Sequence, residues 1–153
     1  MELIALVVSC LSLALATCTA VYTYWRSRPR LSVHDGRWAI CDHARAFAFT
    51  LVNNSSEMIS VVSLSYVSLD NVSYAAELTA QPVFQRRLGG VSSTAFPVVL
   101  QPFEAQRVIA LFSGDNEIPD TSEGFKHLRF ITSKNAMLSV RAVFTSVPYT
   151  ELA

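Results

Sequence analysis

The densest group of chemically competent side chains is His34-Asp35 followed by Cys41-Asp42-His43, which sets one thiol, two imidazoles and two carboxylates within ten residues. These atom types are zinc ligands, and a thiol beside an imidazole is also the pairing of a cysteine nucleophile with its base. The spacing matches none of the standard zinc patterns, and a second ligand pair would need residues from elsewhere, where His127 is the one histidine left. A nucleophile reading needs the fold to aim a ring nitrogen at the sulfur. The segment therefore reads as a loop between the first two strands. A second group, Asp115, Glu117, Asp120 and Glu123, offers the oxygen donors calcium takes. Ile118-Pro119 interrupts the alternate ligand positions an EF-hand requires, so a solvated loop is expected. Arg86-Arg87 sits near Gly89-Gly90 in a polar stretch and is a candidate contact for a partner carboxylate or an anionic membrane surface.

No glycine-rich phosphate loop, nucleophile elbow or paired-carboxylate motif occurs in the chain. The sequence predicts a protein that is not an enzyme and holds no cofactor or metal. Twelve Lys and Arg balance twelve Asp and Glu, and on that ground nucleic acid is excluded as a partner. Cys41 is the single cysteine outside the first 25 residues, so the rest of the chain has no internal disulfide framework. Asn53, Asn54 and Asn71 each open an Asn-x-Ser/Thr triplet, and they read as turn residues.

The element that must position everything else is the start of the chain. Residues 3–25 carry no charge. A helix rises about 1.5 Å per residue, so roughly twenty apolar residues match a hydrocarbon core of about 30 Å. Residues 1–25 are accordingly predicted to be a transmembrane helix and 26–30 a basic linker. Tyr22, Tyr24 and Trp25 then lie at headgroup level beside Arg26, Arg28 and Arg30. Arginines close to a span stay in the cytoplasm, which predicts an outside amino terminus and a cytoplasmic domain. Two rival readings reverse this: a cleaved signal peptide ending near Ala14-Leu15-Ala16, and a lipoprotein box at Leu15-Ala16-Thr17-Cys18. The missing positive charge before Leu3 and the apolar character reaching Trp25 favour the intact anchor. Ala5, Ser9, Ser12, Ala16 and Ala20 recur at three- and four-residue steps, a small-residue stripe that would let two copies associate as a homodimer in lipid.

Beyond Pro29 the period changes to two. Phe47, Phe49 and Leu51 alternate with Ala48, Thr50 and Val52 before Asn53-Asn54-Ser55-Ser56 breaks the run. Further strands are predicted at 59–69, 74–79, 98–100 and 107–112, with 81–96 a long connection and 115–124 an acidic loop. Residues 127–132 and 137–144 flank Ser133-Lys134-Asn135-Ala136 as a closing hairpin. Seven or eight short strands and no second helix predict an all-β, antiparallel sandwich over 31–147, with 148–153 a tail.

The order Phe49-x-Leu51-x-Asn53, then Ile59-Ser60-Val61, then Leu100-x-Pro102-x-Glu104 before Arg107-Val108 resembles immunoglobulin-like sandwiches of bacteria. With its apolar start and Trp25-Arg26-x-Arg28-Pro29-x-Leu31-x-Val33, the chain is similar to small membrane-anchored proteins of bacteria and their prophages. The resemblance implies a fold and an anchor, and no catalytic residue. Cys41 has no partner for the antibody-type disulfide. The expected function is a membrane-anchored interaction module presenting its β-domain at the cytoplasmic surface to a protein partner. The alternative is an exported or lipid-anchored sandwich binding a carbohydrate or cell-envelope ligand through Tyr66, Tyr74 and Phe84.

Overall fold

The structure, a computed structural model, describes residues 2–41, 44–68, 72–86, 89–113 and 124–152. Helix α1 (Glu2–Ser27) stands outside the rest of the protein. None of its most apolar window is buried. Its end agrees with Pro29, whose ring restricts the preceding residue to extended backbone.

The remainder is β1 (Leu31–Cys41), β2 (Ala44–Asn53), β3 (Ile59–Val67), β4 (Ser73–Ala75), β5 (Pro82–Arg86), β6 (Gly89–Ser92), β7 (Val98–Leu100), β8 (Ala105–Ser113), β9 (Gly124–Thr132) and β10 (Met137–Ser146). One sheet runs in the order β4-β3-β9-β10-β1-β2-β8, with β7 also on β3, and β5 and β6 form a separate hairpin. The sheet is mixed and not antiparallel as expected, because β1 lies parallel to β10 while pairing antiparallel with β2.

Two stretches differ from the sequence expectation. The segment placed in a loop, His34 to Cys41, belongs to β1. Its pairing with β2 shifts between His34 and Arg37, and Asp35 takes a left-handed φ of 50°. Such a bulge resets the side-chain alternation and hides the strand. The long connection 81–96 contains the β5–β6 hairpin, and the expected strand 74–79 is reduced to β4. The closing hairpin is present as β9–β10, turning at Asn135 with φ 56°.

The sheet curls until its ends meet. Tyr66 on β3 and Phe112 on β8 occupy opposite flanks of the strand order, yet their rings are 6.5 Å apart. Phe47 on β2 joins them: its ring stacks on Tyr66 at 5.7 Å and meets Phe112 and Phe144 edge-on at 5.1 and 5.3 Å. Alternation along β2 sends Phe47, Phe49 and Leu51 into this core and Ala46 and Ala48 to the other face, all fully buried. The alanine face is covered by Val83, Val147 and Leu152, so the carboxy-terminal residues pack on the domain. Adjacent residues also bridge the sheet ends. Ala76 N donates to Leu64 O at 2.9 Å and Glu77 N donates to Leu111 O at 2.8 Å.

At Gly36, β1 and β10 approach closely. A Cβ there would sit 2.5 Å from Val143 O and 2.9 Å from Phe144 Cδ1. Neither neighbour can yield without moving the sheet, so Gly36→Ala should destabilise the domain by about 1–3 kcal/mol. Urea denaturation of the full chain in detergent, followed by Trp38 fluorescence in a Trp25→Phe background, checks this; an unchanged midpoint would contradict the close approach.

Candidate membrane interface

The candidate site is built where α1 meets the domain. Arg28 turns back on Tyr24, its guanidinium carbon 4.7 Å from the ring centroid and its Nη2 donating to the phenol oxygen at 3.2 Å. Arg30 does the same with Trp25, 5.9 Å from the ring and donating to Trp25 O at 3.3 Å. These two aromatic rings and the cations are therefore one layer, and a cation over an aromatic face can keep its charge turned outward. Tyr22 and Arg26 are exposed beside them.

Along α1, four hydroxyl groups bond back to the helix itself. Ser9 donates to Ala5 O, Thr17 to Leu13 O, Thr19 to Leu15 O and Thr23 to Thr19 O, each at 2.8 to 2.9 Å. Such back-bonding removes the donors that hydrocarbon could not satisfy. The helix runs unbroken through Cys18. Ala5, Ser9, Ser12, Ala16 and Ala20 are exposed, and Ser12, Ala16 and Ala20 line a shallow groove with Thr19 and Thr23.

The chain leaves the helix under a set of turns. Ser56 Oγ donates to Arg26 O at 3.2 Å, Asn54 N to Arg30 O at 2.8 Å, and Asn54 Nδ2 to Ser32 Oγ at 2.8 Å. Asn53 ties these turns together. Its Nδ2 donates to Glu57 O at 2.8 Å and Gln101 O at 2.9 Å, while its Oδ1 accepts from Ser55 N at 2.9 Å and Ser55 Oγ at 2.6 Å. Its backbone N donates to Glu104 O at 2.9 Å. Asn53 is fully buried, so its triplet is a structural turn, as the sequence suggested, and not an accessible acceptor for a glycan. Lys134 reaches across from the β9–β10 turn to Glu57 at 2.9 Å. Between these turns and Ser27 and Pro29 lies a cavity of about 40 Å³. That is room for water and not for an organic ligand.

The other candidate residues do not assemble. His34 is exposed with Nε2 3.0 Å from Ser32 Oγ, and no group of three metal-binding side chains exists among the described residues. Asp42, His43, Arg87 and the acids Asp115, Glu117, Asp120 and Glu123 lie outside the described residues, and Arg86 ends β5. Tyr66, a candidate for stacking on a sugar, is buried between Phe47 and Tyr74. Sequence reasoning missed Met58 and Phe103, exposed at 55% and 64% on this same end. An isolated apolar residue in a turn carries no periodic signal, and only the topology brings the turns together.

No family model and no curated protein matches the chain. Among solved structures, it is similar to the Pseudomonas fluorescens alkylpurine DNA glycosylase AlkC bound to DNA containing an abasic site analog, at 13% identity and a TM-score of 0.35. The match covers 80% of this chain and 33% of that one, so the chain spans about a third of its length. This neighbour is bound to DNA, and the exclusion of nucleic acid drawn from net charge is withdrawn. A charge of zero is an average over the chain and describes no single face. At that TM-score the similarity assigns neither fold nor ligand.

Two outcomes follow from the geometry. Asn53→Ala leaves buried carbonyls unpaired in two turns and should cost roughly 3 kcal/mol, read as a lowered denaturation midpoint. Burial raises the Tyr66 phenol above its ordinary pKa of 10.0, with Arg45 opposing the rise and Tyr74 adding to it. The unfolded chain then ionises first, so this contribution to stability is complete below 10.0 and is lost as pH climbs through the native value. Alkaline unfolding that is unaltered by Tyr66→Phe would refute that assignment.

Proposed function

We propose that this protein is a non-enzymatic interaction module held on the cytoplasmic side of a membrane by α1. One observation carries the reading: a 25-residue helical segment, Leu3–Ser27, with a mean hydropathy of 2.3 and nothing buried in its most apolar window, joined to the β-domain by a short connector. A core helix of a soluble protein would be buried, whereas this one needs hydrocarbon on all sides. The arginine layer at its carboxy-terminal end supports the orientation, since the amino-terminal flank carries no Lys or Arg. The back-bonded hydroxyls support an intact span.

For the domain we propose an immunoglobulin-like sandwich in which β4-β3-β9-β10 faces β2-β8, with β1 shared between the halves. The contacts of Phe49 with Phe130 at 6.3 Å and of Tyr66 with Phe112 support two facing layers. Pairing through an open sheet edge is restricted, because Glu77 N and Thr94 N donate to Leu111 O and Ile109 O on the outer side of β8. Loops are the contact surface this leaves. The burial of Tyr66 weighs against a sugar-binding face.

The test is topology. A reporter active only in the cytoplasm, fused after Ala153, should report strongly, and one active only outside should stay silent. Replacing Arg26, Arg28 and Arg30 together with glutamine should lower the cytoplasmic signal and raise the external one. External activity of the unaltered chain would overturn the orientation, and release of the protein by alkaline carbonate would overturn the span.

A further inference from the structure

Four stretches of the β-domain converge on the end where α1 enters: the start of β1, the β2–β3 turn, the β7–β8 turn and the β9–β10 turn. Their convergence is fixed by the pairs Leu31 with Asn53, Val52 with Ala105 and Ile59 with Leu100, and by Ser133 N donating to Ser60 O at 2.8 Å. The tips carry an unusual set of side chains. Phe103 is 64% exposed, Met58 55% and Lys134 75%, in line with exposed Arg26, Arg28 and Arg30. Phe103 also has a φ of 60°, a left-handed backbone that a bulky residue adopts only under constraint. The turn gains no packing from an exposed ring. The carboxylates of these turns are engaged, Glu57 by Lys134 and Glu104 by the backbone N of Gln101 at 2.6 Å.

We propose that this end of the domain seats on the bilayer, with Phe103 and Met58 entering the interfacial layer and the three arginines against anionic headgroups. The proposal rests on α1 spanning the membrane. Three residues separate α1 from β1, a reach of at most about 10 Å, and Ser56 and Asn54 hold that connector against the turns. The headgroup region is itself roughly 5–8 Å deep on each side of the hydrocarbon, so with Trp25 at its level a connector this short, bonded to the turns, keeps their tips at or next to that layer. Aromatic, thioether and cationic side chains together are the composition of an interfacial anchor. Cations over a net-neutral chain also match an anionic surface.

The test uses the full chain in phosphatidylcholine vesicles containing phosphatidylglycerol and a phospholipid with a photoreactive diazirine near the glycerol end of its acyl chain. After photolysis, label is mapped by mass spectrometry. Ile40 is the internal reference, because it is 59% exposed but lies about 30 Å along β1 from Leu31. Seating predicts label in residues 3–25 and label at Phe103 and Met58 several-fold above Ile40, with lower labelling at Met58 when Phe103→Asp is introduced. Label in residues 3–25 with Phe103 and Met58 no higher than Ile40 would overturn the seating and leave the span intact. No label in residues 3–25 would overturn both.

Discussion

The buried amide of Asn53 is the constraint on which the helix-proximal end depends. A primary amide has two donors and an acceptor with two lone pairs, and here all of that capacity is directed at backbone of two separate turns and at Ser55. An unpaired amide in this place would be costly, so each turn is held in the position that satisfies Asn53. The exit of α1 is fixed in consequence, because the neighbouring Asn54 and Ser56 bond the connector. A small domain could otherwise swing freely on a membrane helix. Here one residue couples α1, the strand ends and the turn that carries Phe103.

The opposite demand comes from β2. A strand buried on both faces needs small side chains on one and large ones on the other, and Ala46 and Ala48 alternate with Phe47 and Phe49 accordingly. Phe47 then sits at the centre of a ring cluster drawn from β3, β8 and β10. Curling follows from twist and from this cluster, since the rings on distant strands meet only if the sheet closes on itself. Leu152 completes the alanine face, and Arg37 and Arg107 hold the carboxy-terminal segment by donating to Glu151 O at 3.1 Å and Leu152 O at 3.4 Å.

What could be read from the sequence was what is local. The long apolar helix and its aromatic and cationic flank are contiguous, and β2, β3, β8, β9 and β10 each carry a run of alternation long enough to register. β1 escaped because Asp35 and Gly36 sit at a bulge, which shifts the inward positions from Leu31 and Val33 to Trp38. Parallel pairing of β1 with β10 is a relation between chain ends and leaves no periodic trace. The same holds for the rim: Met58, Phe103 and Lys134 are separated by tens of residues and become one surface only through the register of four strands. The charge argument excludes too much for a related reason, because summing over the chain discards where each charge lies.

If the helix-proximal end is occupied by lipid, the surfaces left for a protein are decided by elimination. The β8 edge is bonded to residues 77 and 94, and β4 and β7 cover successive halves of the outer edge of β3. β-augmentation would have to displace these contacts, losing as many backbone hydrogen bonds as it gained. The far end is different. There β1, β3 and β8 end and β2, β4 and β9 begin, so six strand ends of one sheet lie opposite the helix-proximal turns. Recognition by loops on such a scaffold needs no rearrangement of the core. A domain fixed at one end by lipid would also hold those strand ends at a constant height, about 30 Å by the length of β1, which would restrict partners to ones that reach that distance from the bilayer.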